Sequence, residues 1–407
     1  MDLRVLILSH EYPPFVFGGL ATYVHDLTKL LNEAGIETIV LTASYTNKND
    51  KLEEIYDKNL IILRIPLRNI PFKARWFSLK LRDIVVEIVK KYGIDVVHTN
   101  PFYLGSYLKT LKKYARTVIT VHGSWYASVN HLKYAFRSFR NMMYAFLDYT
   151  FLIPYLSSPY STWILKKELE YSDAIISPSI HTKYETVVSH NIDPNKIFVV
   201  RPPIFLEDVK SIVNENKVFD LIINAKTKPT FLYAGRLSVI KGIHHILESI
   251  EMLTHDCNVL IFGDGPMKRL VEAYSRKYEN IIYGGKVKPN TWHEILRSLY
   301  KVFFIYPSYW EAAPRALLEA YSNGVPALLS SLYWSREYGV LGQAIYVDIL
   351  SKNDMITKLN RAIEIMENRR EYNDMRKRAR KYIELFHSKE KVLKNLIDVY
   401  TGELKKR

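Results

Sequence analysis

Residues 307–324 read PSYWEAAPRALLEAYSNG, and the placement of one proline and two acids in this stretch decides the fold. Pro314 suits the first position of a helix, where its fixed φ and missing N–H cost nothing, and Gly324 suits the residue just past a helix end. The pattern predicts a helix over Pro314–Asn323. Upstream, Val302–Tyr306 is a short, apolar, β-prone run, so the stretch reads as strand, loop and helix in succession. Glu311 then lies at the carboxyl edge of a parallel strand, where open α/β sheets bind ligands. Free N–H groups at Ala312, Ala313 and Arg315–Leu317 surround a helix start and favour an anion such as a phosphate. Glu319 follows about one and a half turns into the helix. A blander reading stays open: Glu319 pairs with Arg315 at i,i+4, and Glu311 merely favours the helix dipole, although Arg before Glu is the weaker order.

The same alternation extends outward in both directions. Val5–Ser9, Glu37–Thr42, Leu60–Ile65, Asp95–His98, Val118–Val121 and Ala174–Ser177 read as strands, with amphipathic helical spacing over Leu20–Ala34 and Leu79–Tyr92. Arg201-Pro202-Pro203 breaks regular structure, and a second series follows: Thr230–Ala234, Asn258–Phe262, Asn280–Tyr283, Val302–Tyr306 and Pro326–Ser330. The expected organisation is α/β, with two successive doubly wound domains over 1–203 and 204–387. A charged C-terminal helix over 388–407 is expected to pack back on the first domain. Residues 124–167, dense in aromatics and without strand signals, read as a helical insertion.

The chain has 407 residues, a formal charge of +15 and one cysteine, Cys257, so no internal disulfide is possible. The start lacks the basic and long apolar segments of a signal peptide, and no run is apolar enough to span a membrane, so a cytoplasmic location is expected. Much of the excess charge lies in the first half. Lys58–Arg82 carries seven basic residues and no acid, interleaved with Phe72, Trp76 and Phe77, and Val96–Leu147 is again free of acids. Charge alone does not separate nucleic acid, acidic lipid and nucleotide as partners, and no nucleic-acid motif accompanies it.

Four further motifs fall at strand ends. YAGRLSVIKG (233–242) supplies Arg236 and Lys241, two cations able to clamp a diphosphate and stabilise it as a leaving group, though solvated surface charge is the default for such a pair. SHEYPPFVFGGLATYVHDL (9–27) places Gly18 and Gly19 at a helix start, as an anion cradle or a plain glycine turn. TVHGS (120–124) ends a strand on His122, and DVVH ends another on His98; most such histidines are structural. LIFGDGP (260–266) mimics a dinucleotide fingerprint, but Lys268 stands where the third glycine belongs, which disfavours a nicotinamide cofactor. No Asp-x-Asp, His-Glu-x-x-His or cysteine pair suggests a metal.

In combination, the Gly-Gly loop, His122, SDAIISPS (172–179), YAGRLSVIKG, IFGDGP and the pair Glu311/Glu319 resemble the retaining nucleotide-sugar glycosyltransferases of family 4. The opening stretch is also similar to glycogen and starch synthases. The resemblance implies a GT-B fold, two facing Rossmann-like domains with a central cleft, and a metal-independent reaction without a cofactor. It further implies that Arg236 and Lys241 hold the donor diphosphate, Glu319 the ribose and Glu311 the sugar. Gly18 and Gly19 would approach the phosphates and His122 the reacting sugar. Backbone at Gly263, Val287, Ala312, Ala313, Pro314 and Leu317 would complete the donor site. His122, Arg236, Lys241 and Glu311 are the catalytic candidates. Three departures stand out: Arg-Pro-Pro-Ile at 201–204 where relatives commonly have Asn-Gly-Val-Asp, Ala312-Ala313 where glycine and phenylalanine are common, and the 124–167 insertion.

The expected reaction is transfer of a hexose, glucose or a relative, from a nucleoside diphosphate to an acceptor hydroxyl. The basic, aromatic first domain points to a lipid-linked acceptor on the inner face of a membrane, with Arg75, Trp76, Phe77 and Trp125 at the acceptor or the anionic surface. A soluble α-glucan synthase is the alternative within the class. Outside it stand a nucleotide-sugar epimerase and a non-catalytic sugar or nucleic-acid binder.

Overall fold

The structure is a computed structural model that describes residues 3–16, 18–45, 53–68, 73–101, 103–123, 143, 162–205, 228–250 and 257–403. Trp125, and all of the expected insertion except 143 and 162–167, lie outside them. The chain divides into two compact units, which part after Phe205 and again after Leu385.

In the first unit the strands are β1 (Arg4–Leu8), β2 (Glu37–Ser44), β3 (Glu53–Asp57), β4 (Leu60–Pro66), β5 (Val96–Thr99), β6 (Arg116–Thr120), β7 (Ala174–Ser177) and β8 (Ile197–Val199). They form one sheet in the order β3-β4-β2-β1-β5-β6-β7-β8, parallel except for the β3–β4 pair. Alternate residues of β1 serve opposite faces, as strand geometry requires. Val5 and Ile7 join the core beneath helix α1 (Gly19–Glu33), whereas Leu6 and Leu8 join the one beneath α2 (Lys73–Tyr92). Helices on both faces explain why the central strands β1, β2 and β5 are buried along nearly their whole length. Farther along, α3 (Ile180–His190) is capped by Ser179 Oγ and closes on Asn191 in the left-handed region.

The second unit holds a six-stranded, all-parallel sheet in the order β11-β10-β9-β12-β13-β14. Its strands are β9 (Thr230–Ala234), β10 (Asn258–Phe262), β11 (Ile281–Gly285), β12 (Val302–Tyr306), β13 (Ala327–Ser330) and β14 (Ala344–Val347). Between and after them run α4 (Ile243–Ile250), α5 (Lys268–Lys277), α6 (Pro289–Ser298), α7 (Arg315–Ser322), α8 (Lys352–Glu367) and α9 (Arg369–Phe386). Tyr372 of α9 locks the start of β12, its hydroxyl accepting from Val302 N at 2.8 Å and donating to Val302 O at 2.9 Å.

The strand order reverses once in each sheet, between β1 and β5 and between β9 and β12. At such a switch point adjacent loops leave in opposite directions and open a crevice at the carboxyl ends of the strands. After β9 comes 235–242, and after β12 comes 307–314.

The last helix, α10 (Lys389–Thr401), belongs to the first unit and buries Val392, Leu396, Val399 and Tyr400 beside α1 and the sheet. The Tyr400 hydroxyl lies 2.6 Å from His98 Nδ1, while His98 Nε2 lies 2.6 Å from Thr120 Oγ1. His98 is fully buried, and its pKa is held down near 3 by burial and by neighbouring His122. It is a structural histidine between two hydroxyls. Tyr400→Phe removes one of those partners and is expected to cost roughly 1–3 kcal/mol. An unchanged thermal midpoint would show that the bond carries no stability.

Candidate active site

The switch point of the second unit brings together the motifs singled out above. The loop after β9 is stitched to the loop after β12: Tyr309 N donates to Ile240 O at 2.8 Å, and Ser308 Oγ lies 3.1 Å from the same carbonyl. Gly242, at φ +69°, lies so close to Pro307 that a Cβ would fall 2.1 Å from its carbonyl oxygen. Behind this pair, the loop after β10 packs backbone against backbone on the loop after β9. A Cβ on Gly263 would meet Gly235 O at 1.8 Å, and one on Gly265 would meet Leu237 O at 2.5 Å. These glycines are therefore explained by loop packing without any ligand. Gly285 is different, with φ +69° and open space where a Cβ would stand. Val287 follows it, partly buried.

Within this frame Lys241 Nζ sits 2.5 Å from Glu311 Oε1, and Ser308 Oγ donates to the same oxygen at 2.7 Å. Ser308 is itself fixed, because its carbonyl accepts from Ser330 Oγ at 2.7 Å and Trp334 Nε1 at 3.0 Å. Glu311 is buried, and its charge adds to burial in pushing the Tyr306 and Tyr233 hydroxyls well above the ordinary tyrosine pKa. Those phenols stay protonated and serve as donors. Arg236 is exposed and makes no ion pair among the described residues.

Helix α7 begins one residue later than the sequence pattern suggests. Pro314 occupies the cap position, and its carbonyl receives the first helical bond from Leu318 N at 3.1 Å. The N–H groups of Arg315, Ala316 and Leu317 thus have no acceptor within the helix. Glu319 Oε1 lies 2.7 Å from Arg315 Nε, so the i,i+4 pair considered as the bland reading is present. It engages one oxygen of the carboxylate and leaves the other available to a ligand.

In the first unit, Gly18 N donates to Glu11 Oε2 at 2.9 Å at the start of α1. Gly18 is extended, and a Cβ on Gly19 would meet nothing within 4 Å. Packing does not require either glycine, which favours the reading that they leave room for something else. His122 is half-buried at the end of β6, its ring edge-on to Tyr23. His122 Nε2 lies 2.8 Å from Asn100 Oδ1, while Asn100 Nδ2 donates to Leu8 O at 2.9 Å. The amide orientation is thereby set, so His122 carries its proton on Nε2 and offers Nδ1 as an acceptor. Asn100, Glu11 and Ser308 carry no motif of their own in the sequence, and their contacts with His122, Gly18 and Glu311 appear only in the fold.

On α2, Arg75 is exposed and Trp76 is 46% exposed. Phe77, expected at the acceptor or membrane, is instead fully buried with its ring edge-on to Tyr103. Successive residues on a helix diverge by about 100°, so with Trp76 facing out Phe77 faces the core.

Two doubly wound units, one holding cations, a carboxylate and a helix start at its switch point, are the architecture of the GT-B glycosyltransferases. The model of Glycosyltransferase Family 4 matches residues 17–208, and that of Glycosyl transferases group 1 matches 215–382. An uncharacterized glycosyltransferase of Methanocaldococcus jannaschii is 25% identical over 369 residues, 81% of each chain. The alpha-monoglucosyldiacylglycerol synthase of Streptococcus pneumoniae is 24% identical over 365 residues, 83% of this chain and 75% of that protein. Among solved structures, sucrose-phosphate synthase from Thermosynechococcus elongatus superposes with a TM-score of 0.75 at 16% identity, covering 99% of both chains. The protein belongs to glycosyltransferase family 4 and is a glycosyltransferase of the GT-B fold.

Burial lowers the His122 pKa to about 4, against about 6.5 in an unfolded chain. The unfolded state therefore takes up the proton first as pH falls. The stability that neutral His122 contributes is complete above about pH 6.5 and is lost as pH falls toward 4. Thermal midpoints measured across that window should fall less steeply in His122→Asn than in the wild type. Equal slopes would exclude His122 as a contributor.

Proposed function

We propose that the protein moves a hexose, glucose or a relative, from a nucleoside diphosphate to an acceptor hydroxyl, retaining anomeric configuration and needing no metal. The observation that supports this most is the Lys241–Glu311 contact at the second switch point, beside exposed Arg236 and the open start of α7. A diphosphate would draw Lys241 and Arg236 to its oxygens, where bidentate and charge-assisted hydrogen bonds stabilise the departing nucleotide. Glu311, released from lysine, would turn to the sugar hydroxyls, and the backbone at Ala312 and Ala313 would read them. The second oxygen of Glu319 would accept from the ribose. Gly18, Gly19 and His122 keep the roles the resemblance implies, with neutral His122 as a hydrogen-bond acceptor.

The acceptor we infer is lipid-linked. Exposed Arg75 and Trp76 on α2, with Leu79 and Lys80 also exposed, give a basic and aromatic helix face of the kind that lies on anionic membranes. The similar streptococcal protein is by name a synthase of a glucosylated diacylglycerol. No helix among the described residues is long and apolar enough to cross a bilayer.

Nucleotide at a hundredfold excess over its Kd should raise the melting temperature by roughly 5 °C. Glu319→Ala should weaken the preferred nucleoside diphosphate by about tenfold or more, the loss of a hydrogen bond to a charged group. Full retention of the shift would remove the ribose assignment. With a labelled sugar nucleotide, incorporation into extracted lipid in the presence of EDTA is expected. Growth of glycogen instead would favour the glucan-synthase reading, and rescue of an EDTA-dead enzyme by a divalent ion would overturn metal independence. Sedimentation with acidic vesicles should be salt-sensitive and weaker in Trp76→Ala, and no binding at all would dismiss the membrane surface.

A further inference from the structure

His10 stands two residues past β1, in the loop that runs on to α1, and packing accounts for only one edge of its ring. The Tyr103 hydroxyl lies 2.5 Å from His10 Nδ1 and already accepts from His10 N at 3.2 Å. The phenol therefore gives its own proton to Nδ1, and the imidazole carries its proton on Nε2. Burial, with Lys73 nearby, lowers the His10 pKa to about 4, so the ring is neutral near pH 7. Nε2–H makes no hydrogen bond among the described residues, and the side chain is 19% exposed. Its nearest acidic neighbour is Glu11 Oε1 at 4.0 Å, too far for a hydrogen bond. Glu11 Oε2 in turn accepts from Gly18 N at 2.9 Å. The donor edge of His10 thus lies toward the start of α1, beside the glycine pair that packing does not explain.

The bland explanation is a core histidine beside a capping carboxylate. It accounts for Nδ1, but it sets a ring N–H 4.0 Å from a carboxylate oxygen, a gap that one atom spans with two bonds of about 2.8 Å. The atom that fits must accept from Nε2 and donate to the carboxylate, whose oxygens take more than one donor, and a hydroxyl does both. An anion does not fit, because Glu11 is buried and its charge adds to burial in raising the Tyr45 and Tyr103 phenols. The loop is also fixed before anything binds. Arg64 Nη2 donates to Pro13 O at 2.6 Å, the Tyr12 hydroxyl lies 3.0 Å from Thr28 Oγ1, and the Tyr45 hydroxyl donates to His10 O at 2.9 Å. We propose that His10 Nε2 and Glu11 Oε1 together hold one hydroxyl of a neutral polyol, the sugar or glycerol part of the acceptor, and so select the acceptor. The assignment rests on the transferase reading under the preceding heading.

Saturation-transfer NMR of the full-length protein with methyl α-glucoside and with glycerol, at saturating nucleoside diphosphate, tests the proposal. The tighter of the two polyols identifies the part of the acceptor that is held. Asparagine puts its amide where Nδ1 stands, and glutamine where Nε2 stands. His10→Asn should therefore keep the Tyr103 contact and the thermal midpoint, yet weaken the better polyol by about tenfold. His10→Gln should stay within about threefold of the wild type, and the melting shift given by the nucleotide should be the same in all three proteins. Should His10→Asn fail to fold, the wild-type ring nitrogens decide: the Nε2 signal of His10 should move on titration with the polyol, and a stationary signal would refute the contact. Equal binding by His10→Asn and wild type, loss in His10→Gln alone, or no polyol binding beside an intact nucleotide shift would overturn the hydroxyl site and leave the donor site standing. A protein that gains no shift from any nucleoside diphosphate would overturn the donor site, and this assignment with it.

Discussion

Glu311 is a buried carboxylate at the carboxyl end of β12, and what it meets there is Lys241 Nζ, reaching across from the loop after β9. A buried charge is tolerated only when paired and hydrogen-bonded, and removing one partner of such a pair typically costs about 3–5 kcal/mol. The contact therefore ties two loops from either side of the topological switch into one frame. Ser308 adds the third member, and its carbonyl is anchored by Ser330 and Trp334. What results is a cation and an anion held close to each other and to an open helix start. In the proposed reaction such an arrangement favours exchange, because an incoming diphosphate would offer Lys241 more negative charge than one carboxylate does.

The frame around that pair depends on backbone approach more than on side chains. Gly242 against Pro307, Gly263 against Gly235 and Gly265 against Leu237 are contacts that no larger residue permits without displacement. They let the loops after β9, β10 and β12, neighbours in the sheet, stack at its edge and bring the cation-bearing loop within reach of Glu311. Gly18 and Gly19 make no comparable internal contact, so loop packing does not account for them, and only the structure separates these two sets of glycines.

Much of the architecture could be read from the residues because both sheets are covered on both faces. Thr230–Ala234, Asn258–Phe262 and Val302–Tyr306 are apolar apart from the leading Thr230 and Asn258, are buried throughout, and match the strands residue for residue. Where burial is one-sided or the element short, the signal fades. Glu53–Asp57 is an acidic edge strand paired antiparallel to β4, and Ile197–Val199 has only three residues. Helix α2 starts at Lys73, six residues before the amphipathic pattern becomes clear at Leu79, because its first turns mix basic and aromatic residues. Without that start the helix phase is not legible, and Phe77 cannot be separated from Trp76 as a core residue. Within the site, Arg236, Lys241, Glu311 and Glu319 announce themselves as charges beside turn residues. Asn100 and Glu11 are ordinary in sequence, and their meaning comes from contacts the chain makes only once folded.

The C-terminal helix shows the same limit at the scale of a whole unit. Its charged, amphipathic pattern is plain, but pattern alone does not name the surface it covers. In the structure it returns to the first sheet, with Leu396, Val399 and Tyr400 in the core under α1, and Lys389 paired with Glu33 at 2.9 Å. It also seals His98 beneath Tyr400 at the end of β5, one residue from Thr99 and two from Asn100, which orients His122. The residues that finish this core are separated from its other members by the entire second unit. The first unit's apolar face stays incomplete until α10 is in place, so the geometry around His122 depends on that helix as much as on the strands that carry it.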